Sequence, residues 1–187
     1  MEQHLKLKID NHIPHLFFTP KDGEEKKLTQ KKEDISKVIL NIGENFNLIE
    51  KDLDEDVQVN KLVQLANEAD PDYLESMPSD IDTESLEFEL EDIIQKMILE
   101  AKGIEKEYSD VDDMTQELRD EIDRNQSMDI MAGLLDTVYK VIVAKTLLAA
   151  YELEIDKVHF VSSNNYPRLT EKLGEELDRL GIELYLD

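Results

Sequence analysis

Carboxylates at helical spacing are the residues of this chain best placed to do chemistry. Glu117, Asp120 and Glu121 fall three and four apart, and Asp136 follows in the segment Gly133-Leu134-Leu135-Asp136-Thr137-Val138-Tyr139. Oxygen ligands from helices suit Mg²⁺, which demands octahedral oxygen coordination and is held by carboxylates together with substrate phosphates. The same acids belong to a second, purely electrostatic pattern. With Glu84, Glu87, Glu91, Asp110, Asp112 and Asp113 they form a run of negative charge able to face a basic protein surface. A third group is uncharged: Ser162-Ser163-Asn164-Asn165 ahead of Tyr166 offers neutral donors between a strand and a helix, where α/β proteins bind anions. Its plainer use is to satisfy helix-end N–H groups. His12 and His15 are spaced like a loop metal pair, but a turn explains them as well, and His4 and His159 belong on strand faces. No serine with a matching His and Asp stands out. Without cysteine there are no disulfides, zinc thiolates or Cys nucleophiles.

The carboxylate spacings resemble those of the all-α, MazG-like nucleoside triphosphate pyrophosphohydrolases, whose helices present an E-x-x-E pair and then an E-x-x-D pair to magnesium. The resemblance covers residues 113 to 139. It implies that Glu117, Asp120 and Glu121 supply the first pair and Asp136 the last acid of the second. Gly133 occupies the position three before Asp136, so one ligand of that pattern is missing. On this alternative Mg²⁺ is the cofactor.

A second local resemblance lies in Ala144-Lys145-Thr146-Leu147-Leu148-Ala149-Ala150, Lys157-Val158-His159-Phe160-Val161, Arg168-Leu169-Thr170-Glu171-Lys172-Leu173 and Gly181-Ile182-Glu183-Leu184-Tyr185. These look like the late helix, strand, helix and strand of the tRNA threonylcarbamoyl-transferase family. That family's glycine-rich loop is replaced by Ser162-Ser163-Asn164-Asn165, and its histidine helix and early phosphate loops have no counterpart. The resemblance implies a shared structural idiom and no activity.

Charge decides which function classes fit. The 187 residues carry 45 acids and 21 lysines and arginines, a net charge of -24, and the sequence pI is near 4.4. Residues 80 to 129 alone hold 18 acids and 5 bases. The excess is therefore a patch, whose self-repulsion costs stability and invites a use. Phosphate neutralisation needs the opposite sign, so direct nucleic-acid binding is not expected. With 40% apolar residues the chain should fold and not behave as a disordered acidic tail. The start, Met1-Glu2-Gln3-His4, lacks a basic and then apolar leader, and no uncharged stretch reaches membrane-spanning length. The expected compartment is the cytoplasm, with no membrane contact.

The elements that must position these residues follow from periodicity. Leu5, Leu7 and Ile9 alternate with Lys6, Lys8 and Asp10, a half-buried strand. Asn11-His12 reads as a turn and His15 to Thr19 as a strand pairing back. Thr29 is a candidate N-cap for a long helix carrying Ile35, Ile39, Ile42, Phe46, Ile49 and Leu53, a heptad seam that either packs internally or joins chains as an oligomer through residues 35–53. Helices are predicted near 59–69, from Thr83 to Gly103 with Leu86, Leu90, Ile93 and Met97 inward, over 113–124, and over 128–152. Residues 70–82 form an internal linker candidate. At the end come a strand around Val158 to Val161, a helix from Pro167 to Leu180 capped by Gly181, and a strand through Ile182, Leu184 and Leu186. Strand, helix and strand this close together make a parallel crossover.

The fold expected is α+β: one domain, 1–187, with a helical block inserted between an N-terminal hairpin and a C-terminal β-α-β unit sharing one small sheet. The function expected is that of a non-enzymatic acidic interaction protein, with the pyrophosphohydrolase as the alternative.

Overall fold

The computed structural model describes residues 3–50, 52–68, 84–108 and 116–186. Their elements run β1 (His4–Asp10), β2 (Ile13–Thr19), β3 (Lys26–Lys27), α1 (Ile35–Asn45), α2 (Glu55–Glu68), α3 (Leu90–Tyr108), α4 (Gln116–Glu152), β4 (Lys157–Ser162), α5 (Pro167–Arg179) and β5 (Glu183–Leu186). The fold is α+β, with one sheet in the order β3-β2-β1-β4-β5. β1 runs antiparallel to β2 and parallel to β4, and β5 runs parallel to β4. Both chain ends thus build the sheet, as the sequence predicts, and β3 adds a fifth strand.

The chain divides into two compact units. The sheet unit comprises residues 1–35, 80–90 and 139–187; the helical unit comprises 36–79 and 91–138. α4 contributes to both, changing at Val138 and Tyr139.

In the sheet unit, alternation does the sorting. Leu5, Leu7 and Ile9 are buried from β1, Leu16 from β2, and Val158 and Phe160 from β4. The core also contains Leu169, Leu173 and Leu177 of α5 and Ile142, Ala149 and Ala150 of α4. The hairpin closes through Asn11 and His12, whose φ angles of 50° and 67° are the paired left-handed conformations of a two-residue type I′ turn.

The helical unit buries Val38, Ile39, Ile42 and Phe46 of α1, Val59, Leu62 and Ala66 of α2, Ile94 and Ile98 of α3, and Leu134, Leu135 and Val138 of α4. Four seam residues, Ile35, Ile39, Ile42 and Phe46, are at most 3% exposed. That part of the 35–53 seam is consumed by the chain's own core.

Helix boundaries differ from those predicted in α1, α2, α3 and α4, and α2 begins at Glu55 and not near 59. Thr29 is not an N-cap: its buried hydroxyl lies 2.8 Å from His15 Nδ1 and accepts the Leu16 N–H at 3.2 Å, and the helix begins at Ile35. It ends at Asn45, where Asn47 turns left-handed (φ 56°) and the Leu48 N–H donates to the Gly43 carbonyl at 2.9 Å, a Schellman cap. α3 starts at Leu90 and not near Thr83, and its inward face is Leu90, Ile94 and Ile98, not Ile93 and Met97. The break expected at Asn125-Gln126-Ser127 is absent: α4 is continuous through it.

Candidate functional site

The predicted acids fall into three groups. Asp110, Asp112 and Asp113 lie outside the described residues, as does the 70–82 linker. Glu117, Asp120 and Glu121 are backbone positions in the first turns of α4. Glu84, Glu87 and Glu91 are described in full: Glu84 and Glu91 are exposed and Glu87 is half-buried.

Glu87 has a structural task. Its two carboxylate oxygens accept the Gln30 N–H at 2.5 Å and the Lys31 N–H at 3.1 Å. Glu33, only 8% exposed, does the converse, accepting the Glu89 N–H at 3.0 Å and the Leu90 N–H at 2.6 Å. Glu33 thereby satisfies the first amide of α3, reached across 57 residues, and places negative charge at that helix's positive end. Lys31 closes the arrangement on Glu89 at 3.1 Å, and its ammonium is held above its usual pKa by that hydrogen bond first and by the charges of Glu89, Glu33 and Glu87 with it. Lys145, 1% exposed, donates to the Ser85 carbonyl at 2.5 Å. Residues 84–90 are therefore pinned from both sides, with Glu84 left at the surface. Glu91 and Asp92, both exposed, follow in the first turn of α3.

The magnesium set does not converge. Because α4 is one helix, Asp136 stands 15 residues beyond Glu121, about 22 Å along the axis at 1.5 Å per residue. A cation binds its ligands at about 2.1 Å, so Asp136 cannot share an ion with Glu117, Asp120 or Glu121 of the same chain. Asp136 is also buried, at 7% exposure. Among the described residues no three His, Asp or Glu side chains gather as a metal site.

The polar loop after β4 is a lock, not an anion cradle. Ser163 Oγ accepts the Asn11 N–H at 2.9 Å, Asn164 Oδ1 accepts the His12 N–H at 2.7 Å, and Ser162 Oγ bonds both the N–H and the carbonyl of Asn164. His12 Nδ1 pairs with the Tyr166 hydroxyl, and its Nε2 lies 3.3 Å from Asn164 Nδ2. An amide nitrogen only donates, so the network assigns Nε2 as acceptor and Nδ1–H as donor. Tyr166 is 3% exposed, and its hydroxyl is held well above the ordinary tyrosine pKa by burial first, then by Tyr139 and Asp34. The loop's Ser163 and Asn164 side-chain oxygens, as acceptors, thus fix the left-handed hairpin turn beside the start of α5. His15 is a β2 residue bonded to Thr29 and not part of a turn, while His4 and His159 do lie on strand faces, their rings 4.8 Å apart.

Sequence reasoning missed the Glu33–Glu87 clasp and the His12–Tyr166 pair. Both depend on partners far along the chain, and no local period marks them. Against known proteins, neither a family model nor a curated protein matches the chain.

Proposed function

We propose that this is a non-enzymatic acidic interaction protein that binds and blocks a basic surface of a partner protein, including one that would otherwise hold nucleic acid, as an inhibitor, immunity or DNA-mimic protein does. The observation that carries the reading is where the charge lies: the helical unit has 24 acids against 8 bases, the sheet unit 21 against 13. Two thirds of the excess negative charge thus belongs to one half of the chain. A concentrated field speeds encounter with a complementary surface and makes it salt-sensitive, and it needs no reacting group. The proposed contact acids are Glu91, Asp110, Asp112, Asp113, Glu117, Asp120 and Glu121 of the helical unit, while Glu84 and the clasped Glu87 add negative charge from the sheet unit.

The test is affinity capture from the native host at low and moderate salt, followed by association kinetics with the captured partner. Partners should be basic and released as ionic strength rises, since exposed charges are screened over about 10 Å at 0.1 M salt. Reversing Glu84, Glu91, Asp112 and Asp113 to lysine should slow association at least roughly tenfold. An unchanged rate overturns the reading.

A further inference from the structure

The two edges of the sheet are guarded differently. β3 closes one edge with two residues, both exposed lysines, and short length and lysine are usual protections of an unpaired strand. β5, at the other edge, has neither lysine nor proline: it reads Glu183-Leu184-Tyr185-Leu186, with Tyr185 41% and Leu186 59% exposed. Its outward groups follow from its pairing. The Glu183 N–H donates to the Asp156 carbonyl at 2.9 Å, and Lys157 to Phe160 pair in parallel with Glu183 to Leu186. Alternate residues of a strand turn their main-chain groups to opposite sides, so Leu184 and Leu186 direct N–H and C=O to the edge that no strand among the described residues pairs with.

A cleft of about 650 Å³ adjoins β5 through Glu183, Leu184 and Tyr185, and a second of about 810 Å³, lined by residues that precede β1, β4 and β5, shares Gly181 and Ile182 with it. Tyr151, 83% exposed, and Leu180, 60% exposed, line the larger. Every charged residue lining either cleft is acidic: Asp178 and Glu183 in one, Glu152, Glu154 and Asp156 in the other.

We propose that the outer edge of β5 is a strand-addition site for an extended segment of a partner protein in which lysine or arginine alternates with large apolar residues. Main-chain bonds to Leu184 and Leu186 supply affinity, and side chains supply specificity. Apolar residues meet the exposed side chains of Tyr185 and Leu186, and basic residues meet Asp178 and Glu183 of the cleft beside β5. A second copy is the poorer occupant, because edge-to-edge pairing would bring two such acidic linings together on chains of net charge -24. The site extends the interaction reading to the sheet unit and does not depend on the acids of residues 84–121.

The probe is an acetylated eight-residue peptide alternating lysine with valine and leucine, titrated into the ¹⁵N-labelled full chain; its controls replace lysine by glutamate or place proline at the centre. Shifts should centre on β5, and the Leu184 and Leu186 amides should gain protection from exchange. Both control peptides should bind at least roughly tenfold more weakly, and affinity should fall about tenfold between about 50 and 300 mM salt. Leu186→Pro removes an outward N–H and leaves the pairing to β4 intact, so it should lose binding at least roughly tenfold. If that variant misfolds, Asp178→Lys with Glu183→Lys should produce the same loss through charge. The fourfold reversal at 84, 91, 112 and 113 should bind the peptide like the parent, which separates this site from the acidic patch. Shifts confined to other elements, equal affinity for the glutamate peptide, undiminished binding by the variants, or a dimer in light scattering that protects Leu184 and Leu186 without peptide would each overturn the proposal.

Discussion

Glu33 and Glu87 hold each other's neighbourhoods in place: each carboxylate accepts two backbone amides from the segment that bears the other. Four N–H groups that neither a strand nor a helix satisfies are thereby paired, two beside β3 and two at the entry to α3. In an acidic chain the obvious use of a glutamate is surface charge, yet these two serve as fixed acceptors. Charge-assisted bonds of this kind are stronger than neutral ones, and losing Glu33 would leave the buried Leu90 N–H unpaired, whereas the exposed Gln30 and Lys31 amides held by Glu87 can turn to water. Within the sheet unit the clasp joins residues 30–33 to residues 87–90 and fixes Leu90 as the first residue of α3.

Glu87 and Glu91 should consequently respond differently to substitution. Glu87→Ala is expected to destabilise by about 1 to 2 kcal/mol, the low end for two hydrogen bonds to a charged group because Gln30 and Lys31 are exposed to water. Glu91→Ala, at the surface, should stay within about 1 kcal/mol even with its helix-dipole contribution. Denaturant unfolding of the two single variants checks this, and a cycle with Glu33→Ala should show non-additivity between Glu33 and Glu87.

The sequence makes legible what is decided locally. Alternation in residues 4–10 identifies β1, and Gly181, at φ 72°, is the left-handed cap residue that the end of α5 requires. The predicted parallel pairing of β4 and β5 is present because a 13-residue helix between two short strands permits no tight hairpin. Failures arise where a distant partner wins. Thr29 looks like an N-cap, but its hydroxyl is taken by His15 and Leu16, and the helix waits for Ile35. The apolar period from Leu86 onward suggests a helix from Thr83, whereas Glu89 adopts φ 53° and Glu33 supplies the cap for Leu90. Asn125-Gln126-Ser127 looks like a break, but polar residues on a helix interrupt nothing when no Gly or Pro stands among them. The continuity of α4 in turn separates Asp136 from its proposed co-ligands, which spacing in the sequence alone could not reveal.

His15 should give stability a pH dependence. Its pKa is lowered from 6.5 by burial first and by the Lys27 charge next, and its Nδ1 lies 2.8 Å from the Thr29 hydroxyl. The unfolded chain then binds the proton more readily than the folded one. The contribution is complete above pH 6.5 and is lost as pH falls from there through the depressed folded value. Comparing unfolding midpoints of the parent and His15→Gln between neutral and mildly acidic pH checks this: the variant should lose less stability over that window.

Core truncations should be costly. Leu135 is 2% exposed and Ile142 0%. Leu135→Ala or Ile142→Ala is expected to cost about 2 to 5 kcal/mol through lost transfer energy and a residual cavity. Thermal melts followed by circular dichroism give the measurement. A cost below about 1 kcal/mol would mean that α4 is not packed as described.

The ends of α4 and α5 provide a matched pair of opposite sign. Both close with Schellman bonds: the Ile155 N–H donates to the Ala150 carbonyl at 2.9 Å, and the Ile182 N–H to the Leu177 carbonyl at 2.9 Å. The left-handed residue is Glu154 (φ 53°) in the first and Gly181 (φ 72°) in the second. A side chain in that conformation costs about 1 to 2 kcal/mol, because its Cβ crowds the backbone, whereas glycine avoids the clash at some cost in chain entropy. Nothing lies within 4 Å of a Cβ built on Gly181, so Gly181→Ala tests backbone strain without steric contact and should destabilise by about 1 kcal/mol. Glu154→Gly should stabilise by about 0.5 to 1 kcal/mol, since relief of strain exceeds the added freedom of the unfolded chain. Equilibrium unfolding of the two variants beside the parent decides the matter: shifts of the same sign would show that these caps do not govern how α4 and α5 end.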